Sequence, residues 1–257
     1  MRTIRSNGLE RRYLLHVPID IATCPDLVIA LHALGTNPSI MEFMTKLSSK
    51  ADEHGFIVIY PEGTISSTGM ASWNAEFCCG DSALEKVDDV LFISDLIDIL
   101  RENHNINNVL VTGFSNGGML THILGVKLSE KIQMIAPVGA TISDEILNLN
   151  PERSMEVLII HGQEDQIIPL YKSKGNSLPA IEAEQYWARV NKCDIIEKNE
   201  TPEAIFHNYE NSHKVTSIIV KNAGHVWPGG QSRMLEQHDP KTIDATSQIL
   251  DRFLSQN

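Results

Sequence analysis

The sequence predicts an α/β fold: a mostly parallel sheet with helices on both faces, built by residues 1–257 as a single domain. Three observations carry that expectation. Short, continuously apolar runs of strand length alternate with stretches of helical periodicity, as in a parallel sheet buried on both sides. At 257 residues the chain is long enough for one substantial core. No internal repeat, low-complexity tract or linker rich in Pro, Gly or Ser divides it.

The elements follow in order. Tyr13–Val17 alternates and reads as an early edge strand. Leu27–Leu31, Phe56–Tyr60, Val109–Val111, Met134–Val138, Val157–Ile160 and Ile218–Val220 are the apolar runs expected to form the sheet. Val87, Val90, Leu91, Ile97 and Leu100 recur at helical spacing, and Ser82 with Glu85 has the spacing of a capping box just ahead of them. Asp88 and Asp89 then read as solvated or capping residues at a helix start. Met119–Leu128 is compatible with a helix, and Pro179–Val190 and Thr242–Leu254 are amphipathic. Two stretches, 62–82 and 226–241, are too long and irregular to be simple connections. Both follow strand ends, the side of an open α/β sheet on which ligands bind.

Composition narrows the function classes. Apolar residues make up 42% of the chain and charged residues 21%, with a formal net charge of −12 and a pI near 5.2. That acidity disfavours electrostatic binding to nucleic acid or to an anionic membrane. No run approaches the roughly 18 apolar residues of a membrane span. The N-terminal segment has no apolar core of a secretory signal, so the chain is expected to be cytoplasmic. Cys24, Cys78, Cys79 and Cys193 lack metal-finger spacing and the histidines are scattered, so neither a metal nor another cofactor is expected. The cysteines read as buried free thiols; a bond between adjacent Cys78 and Cys79 would need an oxidising setting.

The chemistry is concentrated in Gly113-Phe-Ser-Asn-Gly-Gly118. It follows an apolar strand and precedes a helix-compatible run, the setting of a nucleophile elbow with Ser115 at its tip. A serine hydroxyl needs a base, and in folds with such an elbow the chain order is Ser, acid, His. His225, in Asn222-Ala-Gly-His-Val-Trp-Pro-Gly-Gly230, leaves the end of a strand and is the expected base, with His238 the fallback. His207 and His213 precede that strand among polar residues and read as solvated. The acid is expected at Asp165, in His161-Gly-Gln-Glu-Asp165, with Glu164 the neighbour that could be confused with it. His161 reads as a structural hydrogen-bonder. Two N–H groups must hold the oxyanion. Asn116 is expected to supply one and Leu34, or next Ala33, the other, with His32 bracing that loop. Phe114, Trp73 and Trp227 are expected to line an apolar substrate pocket.

These residues resemble the polyhydroxybutyrate depolymerase and feruloyl esterase group, within the family 1 carbohydrate esterases. The matching pieces are Tyr13-Leu-Leu-His-Val-Pro18, Leu31-His-Ala-Leu-Gly35, Tyr60-Pro-Glu-Gly63, Ser72-Trp-Asn74, Cys78-Cys-Gly80, Val87-Asp-Asp-Val90, Thr112-Gly-Phe-Ser-Asn-Gly-Gly-Met119, His161-Gly-Gln-Glu-Asp165, Asn191-Lys-Cys193 and Gly224-His-Val-Trp-Pro-Gly-Gly230. The resemblance implies an α/β-hydrolase fold, carboxylic-ester hydrolysis and a triad on Ser115, Asp165 and His225. The chain departs from the group at Ala33, where Gly is usual. Many members pair the cysteine matching Cys193 with a later one; none follows Cys193 here.

The expected function is serine-dependent hydrolysis of small or aromatic acyl esters (feruloyl, acetyl or hydroxyalkanoate oligomer) through an acyl-enzyme, with a small-molecule ester as partner. The alternatives are a prolyl-oligopeptidase-like peptidase, a thioesterase, or a catalytically silent binding module. Nothing in the sequence points to an oligomeric state.

Overall fold

A computed structural model of the protein describes residues 1–174, 177–231 and 238–255. The chain opens with the hairpin β1 (Arg2–Ser6) and β2 (Leu9–His16), then β3 (Leu27–Leu31), α1 (Pro38–Thr45), α2 (Leu47–His54) and β4 (Ile57–Pro61). The irregular stretch that follows carries the two-residue strands β5 (Thr64–Ile65) and β6 (Ala71–Ser72) and the short helix α3 (Gly80–Leu84). Next come α4 (Asp89–His104), β7 (Val109–Phe114), α5 (Asn116–Lys127), β8 (Met134–Val138), α6 (Asp144–Leu147) and β9 (Glu156–Gly162). The chain continues with α7 (Ile181–Val190), β10 (Asp194–Glu200), β11 (Ala204–Glu210), β12 (Val215–Val220) and α8 (Ala245–Leu254).

Ten strands form one sheet in the order β1-β2-β4-β3-β7-β8-β9-β12-β11-β10. The six central strands, β4 through β12, run parallel, and an antiparallel pair closes each side. The sheet is therefore mostly parallel, as expected. β3, β4 and β8 are buried at every position, which is why their sequences are unbroken apolar runs. One core packs Leu96, Leu120, Ile123 and Trp187 of α4, α5 and α7 against one face of the sheet. The other packs Met41, Leu47, Ala51, Ile249 and Phe253 of α1, α2 and α8 against the opposite face. Among the described residues no helix is long and apolar enough to cross a membrane.

Several local expectations are corrected. The strand at Tyr13 is not an edge, because β1 lies outside it. No capping box precedes α4: Ser82 lies within α3 and bonds Ser72 Oγ and the Cys79 carbonyl, while Asp88 caps α4 by accepting the Leu91 N–H. Asp89 is not solvated; it is 1% exposed and paired with Arg11 at 2.6 Å. The polar strands β10 and β11 go beyond the expected set. His207, expected in solvent, is buried on β11 with Nδ1 2.8 Å from Glu184 Oε1. The helices near 179 and 242 begin at Ile181 and Ala245, the latter capped by Asp244. Cys78 and Cys79 form a disulfide across a cis peptide bond, and Cys24 is exposed, so the expectation of four buried thiols fails. Of the long stretch at 226–241, residues 232–237 lie outside the described residues.

Candidate active site

Because β3, β7, β9 and β12 are parallel, the loops leaving their carboxyl ends gather on one edge of the sheet. Ser115 sits between β7 and α5 with φ 55° and ψ −119°, a left-handed conformation that a side chain adopts only where its surroundings enforce it. The Ser115 N–H donates to the Val138 carbonyl at 3.0 Å. At Gly117 a Cβ would lie 2.3 Å from the Leu31 carbonyl oxygen and 2.5 Å from that of His32. Only glycine lets the loop after β3 close onto the start of α5.

The loops after β9 and β12 meet as closely. A Cβ on Gly162 would lie 2.2 Å from the Gly224 carbonyl oxygen, and the Glu164 N–H donates to the Ala223 carbonyl at 2.8 Å. This contact carries His225 onto Asp165. His225 Nδ1–H donates to Asp165 Oδ2 at 2.7 Å, and Nε2 accepts the Ser115 hydroxyl at 2.9 Å. Asp165 Oδ1 accepts the N–H groups of Ile167 and Ile168, each at 2.8 Å. Burial pushes the Asp165 carboxyl up, but its bond to His225, the electrostatic interaction with the His225 and His161 imidazoles and the Ile168 N–H outweigh burial and hold it below the ordinary value. The fallbacks stand apart: the Glu164 and His238 side chains are exposed, and the His238 carbonyl accepts the Gly224 N–H.

The loop after β3 is oriented by a neutral histidine. His32 Nε2 accepts the Gly63 N–H at 2.9 Å, so its proton is on Nδ1, which donates to the Ala33 carbonyl at 2.8 Å. Burial lowers the His32 pKa to about 4, against the opposing effect of that Ala33 bond. Thr36 adds two more donors to the Ala33 carbonyl, from Oγ1 at 2.8 Å and N at 3.1 Å. In a trans peptide C=O and N–H point opposite ways, so the Leu34 N–H faces away from these donors. Ala33 does not occupy the left-handed region, so its methyl is accommodated where the resembled group has glycine. Asn116 opens α5, where first-turn N–H groups have no intrahelical acceptor.

Of the expected pocket residues, Phe114 lies in the site, its ring 4.9 Å from that of His225. Trp73 and Trp227 do not line it. Trp73 is fully buried with Nε1–H on the His32 carbonyl, and Trp227 is 3% exposed with Nε1–H on Thr246 Oγ1. Both indoles anchor loops. Sequence reasoning missed the part of Asn74, and of Asp89, which it read as solvated or capping. Asp89 Oδ2 accepts the Asn74 N–H at 2.7 Å, fixing the segment that holds Asn116. The only signal was that Ser72-Trp-Asn74 and Val87-Asp-Asp-Val90 both belonged to the resemblance. Among the described residues no group of three or more His, Cys, Asp or Glu side chains could hold a metal ion.

The profile of the family described as Phospholipase/Carboxylesterase matches residues 21–178. The chain is 26% identical over 173 residues to a bifunctional acetylxylan esterase/xylanase of Neocallimastix patriciarum, covering 66% of this chain and 24% of that one. It is 33% identical over 129 residues to feruloyl esterase B of Neurospora crassa, covering 49% and 42% of the two chains. The chain thus spans less than half the length of both relatives. An acetyl xylan esterase from Aspergillus awamori superposes with a TM-score of 0.71 at 16% identity, covering 88% of this chain and 93% of that one, a likeness of fold. With an elbow serine, a Ser–acid–His order and a family match over more than half its length, the chain belongs to the phospholipase/carboxylesterase family of α/β-hydrolases.

Proposed function

We propose that the protein is a serine-dependent carboxylic ester hydrolase acting on small or aromatic acyl esters, of the acetyl and feruloyl type, through an acyl-enzyme. The observation that carries this reading is the unbroken hydrogen-bond line Ser115–His225–Asp165 at a strained elbow. With Nδ1–H committed to Asp165, the His225 Nε2 lone pair takes the Ser115 proton as Oγ attacks the ester carbonyl. The Leu34 and Asn116 N–H groups receive the oxyanion. As the tetrahedral intermediate collapses, the C–O bond to the alcohol breaks and His225 returns its proton to that oxygen. Water, deprotonated by His225, then attacks the acyl-enzyme and releases the acid and Ser115. The acetylxylan and feruloyl esterases among the relatives support the substrate class.

The test is hydrolysis of p-nitrophenyl esters from acetate to decanoate, alongside methyl ferulate and hydroxybutyrate oligomers, by the parent and Ser115→Ala proteins. Activity on acetate or ferulate that disappears in Ser115→Ala is expected. A fully active Ser115→Ala protein rules the reading out.

A further inference from the structure

Near Asp165 two more imidazoles are buried completely. His161 and His122 each have no exposed surface to speak of, at 1% and 0%. Neither has a part in the mechanism above. His161 Nε2 donates to the Ile168 carbonyl at 2.8 Å and lies 3.4 Å from Asp165 Oδ2. Ile168 is also one of the two residues whose N–H grips Asp165 Oδ1. His161 therefore holds the turn from its carbonyl side while that turn holds the acid from its amide side.

The protonation of both rings can be read from their partners. A carbonyl only accepts, so His161 Nε2 carries the hydrogen and Nδ1, on a neutral ring, is an acceptor. Trp187 Nε1–H donates to His122 Nδ1 at 2.9 Å, so the His122 hydrogen is on Nε2, a donor. His122 Nε2 and His161 Nδ1 are both buried without a partner among the described residues, and one is a donor where the other is an acceptor. Burial lowers the His122 pKa to about 3, and His161 lies near enough to lower it further. Burial likewise holds the His161 pKa below its ordinary value, against the pull of Asp165.

We infer that His161 is a positioning residue for Asp165: through the Ile168 carbonyl, its Nε2–H holds the turn whose N–H groups grip the acid. This rests on the esterase reading above, since it assigns His161 to the same triad. A carboxylate whose second oxygen and supporting turn are held in this way presents Oδ2 to His225 in one orientation, and the imidazolium formed during acyl transfer is stabilised accordingly. The titratable groups facing His161 are Asp165 from the loop after its own strand β9, His225 from the loop after β12 and His122 from α5. α7 contributes the uncharged Trp187.

The experiment compares parent, His161→Phe, His161→Gln and Ser115→Ala on p-nitrophenyl acetate, reading kcat, KM and the acid limb of kcat/KM against pH. In His161→Phe we expect kcat to fall by about tenfold or more with KM little changed, as for a small misplacement of a catalytic group. The acid limb moves to lower pH, because a less firmly held Asp165 stabilises the His225 imidazolium less. His161→Gln, whose amide can still donate to the Ile168 carbonyl, recovers most of kcat and the parental limb. A His161→Phe protein with parental kcat, or with an acid limb that stays in place or moves upward, overturns the inference. If His161→Phe does not fold, His161→Asn carries the test: its shorter amide does not reach the Ile168 carbonyl, and the same fall in kcat and shift of the limb are expected, an unchanged profile again overturning the role. Ser115→Ala separates the two readings. If that protein keeps full activity the esterase assignment fails; if it is inactive while the His161 variants match the parent, only the positioning role fails.

Discussion

Asn116 and Trp73 hold each other by two hydrogen bonds: the Trp73 N–H donates to Asn116 Oδ1 at 2.8 Å, and Asn116 Nδ2 donates to the Trp73 carbonyl at 3.0 Å. The side chain next to the nucleophile is thus clamped to a segment 43 residues away in sequence, and its backbone N–H is fixed along with it. Asn116→Ala leaves the buried Trp73 N–H unpartnered and its carbonyl with only the long Cys79 N–H bond at 3.4 Å, which costs about 2 kcal/mol of stability. It also loosens one oxyanion donor, so kcat is expected to fall by about tenfold or more. Urea unfolding and steady-state kinetics check both halves. Parental kcat in a folded Asn116→Ala protein would show that the clamp has no part in placing that N–H.

The clamp is itself anchored by Asp89, which takes the Asn74 N–H on one oxygen and Arg11 on the other. Burial raises the Asp89 pKa, against the pull of the Arg11 charge and the Asn74 N–H. Arg11 also lies over the Phe92 ring at 4.0 Å. Removing one partner strands the other charge: Asp89→Ala should cost about 3–5 kcal/mol. In Arg11→Met/Asp89→Leu the stranded charge is gone, so most of that stability returns, while the Asn74 N–H stays unanchored and kcat stays low. Equal recovery of stability and kcat in the double variant would separate Asp89 from the site.

The contrast between what could and could not be read from the sequence follows the range of the contacts. The elbow was legible because its strand, its glycines and its helix are contiguous, and Asp165 and His225 were legible because chain order and strand ends locate them. Burial of Trp73, Asp89 and His207 was not, since it depends on partners 41, 78 and 23 residues away. A tryptophan near a nucleophile looks like a pocket wall until the carbonyl that its indole bonds is known. β10 and β11 escaped because strands towards a sheet edge mix charged with apolar residues, unlike the unbroken runs at the centre.

Trp227 gives that distinction a test. Its indole N–H bonds Thr246 Oγ1, whose own hydroxyl donates to the Thr45 carbonyl, so the residue ties the loop bearing His225 to α8 and α1. Trp227→Phe keeps most of the apolar volume and loses one hydrogen bond, at a cost of about 1 kcal/mol. As an anchor it should leave the preferred acyl length in the p-nitrophenyl series unchanged. A shift in that preference with unchanged melting would return Trp227 to the pocket wall.

Stability should fall steeply with acid, and three buried histidines set the window. Burial lowers the pKa of His32 to about 4 and that of His122 to about 3, and holds His161 below the ordinary 6.5 as well. Unfolded, each binds a proton as the pH drops through 6.5, whereas the native rings stay neutral until much lower pH. The unfolded state therefore holds more protons throughout that interval, and stability rises with pH there. Each such ring contributes a slope approaching about 1.4 kcal/mol per pH unit, so the three together approach about 4. Asp165, with its lowered pKa, acts in the same direction but only below about pH 4, where its unfolded carboxyl takes up a proton. The measurement is unfolding free energy by urea between pH 7 and pH 4. His122→Phe removes one ring from the set, and the slope should drop by about a third whatever its effect on stability at pH 7. A parental slope in that variant would mean that His122 is already protonated in the folded protein, which its acceptance of the Trp187 indole N–H forbids.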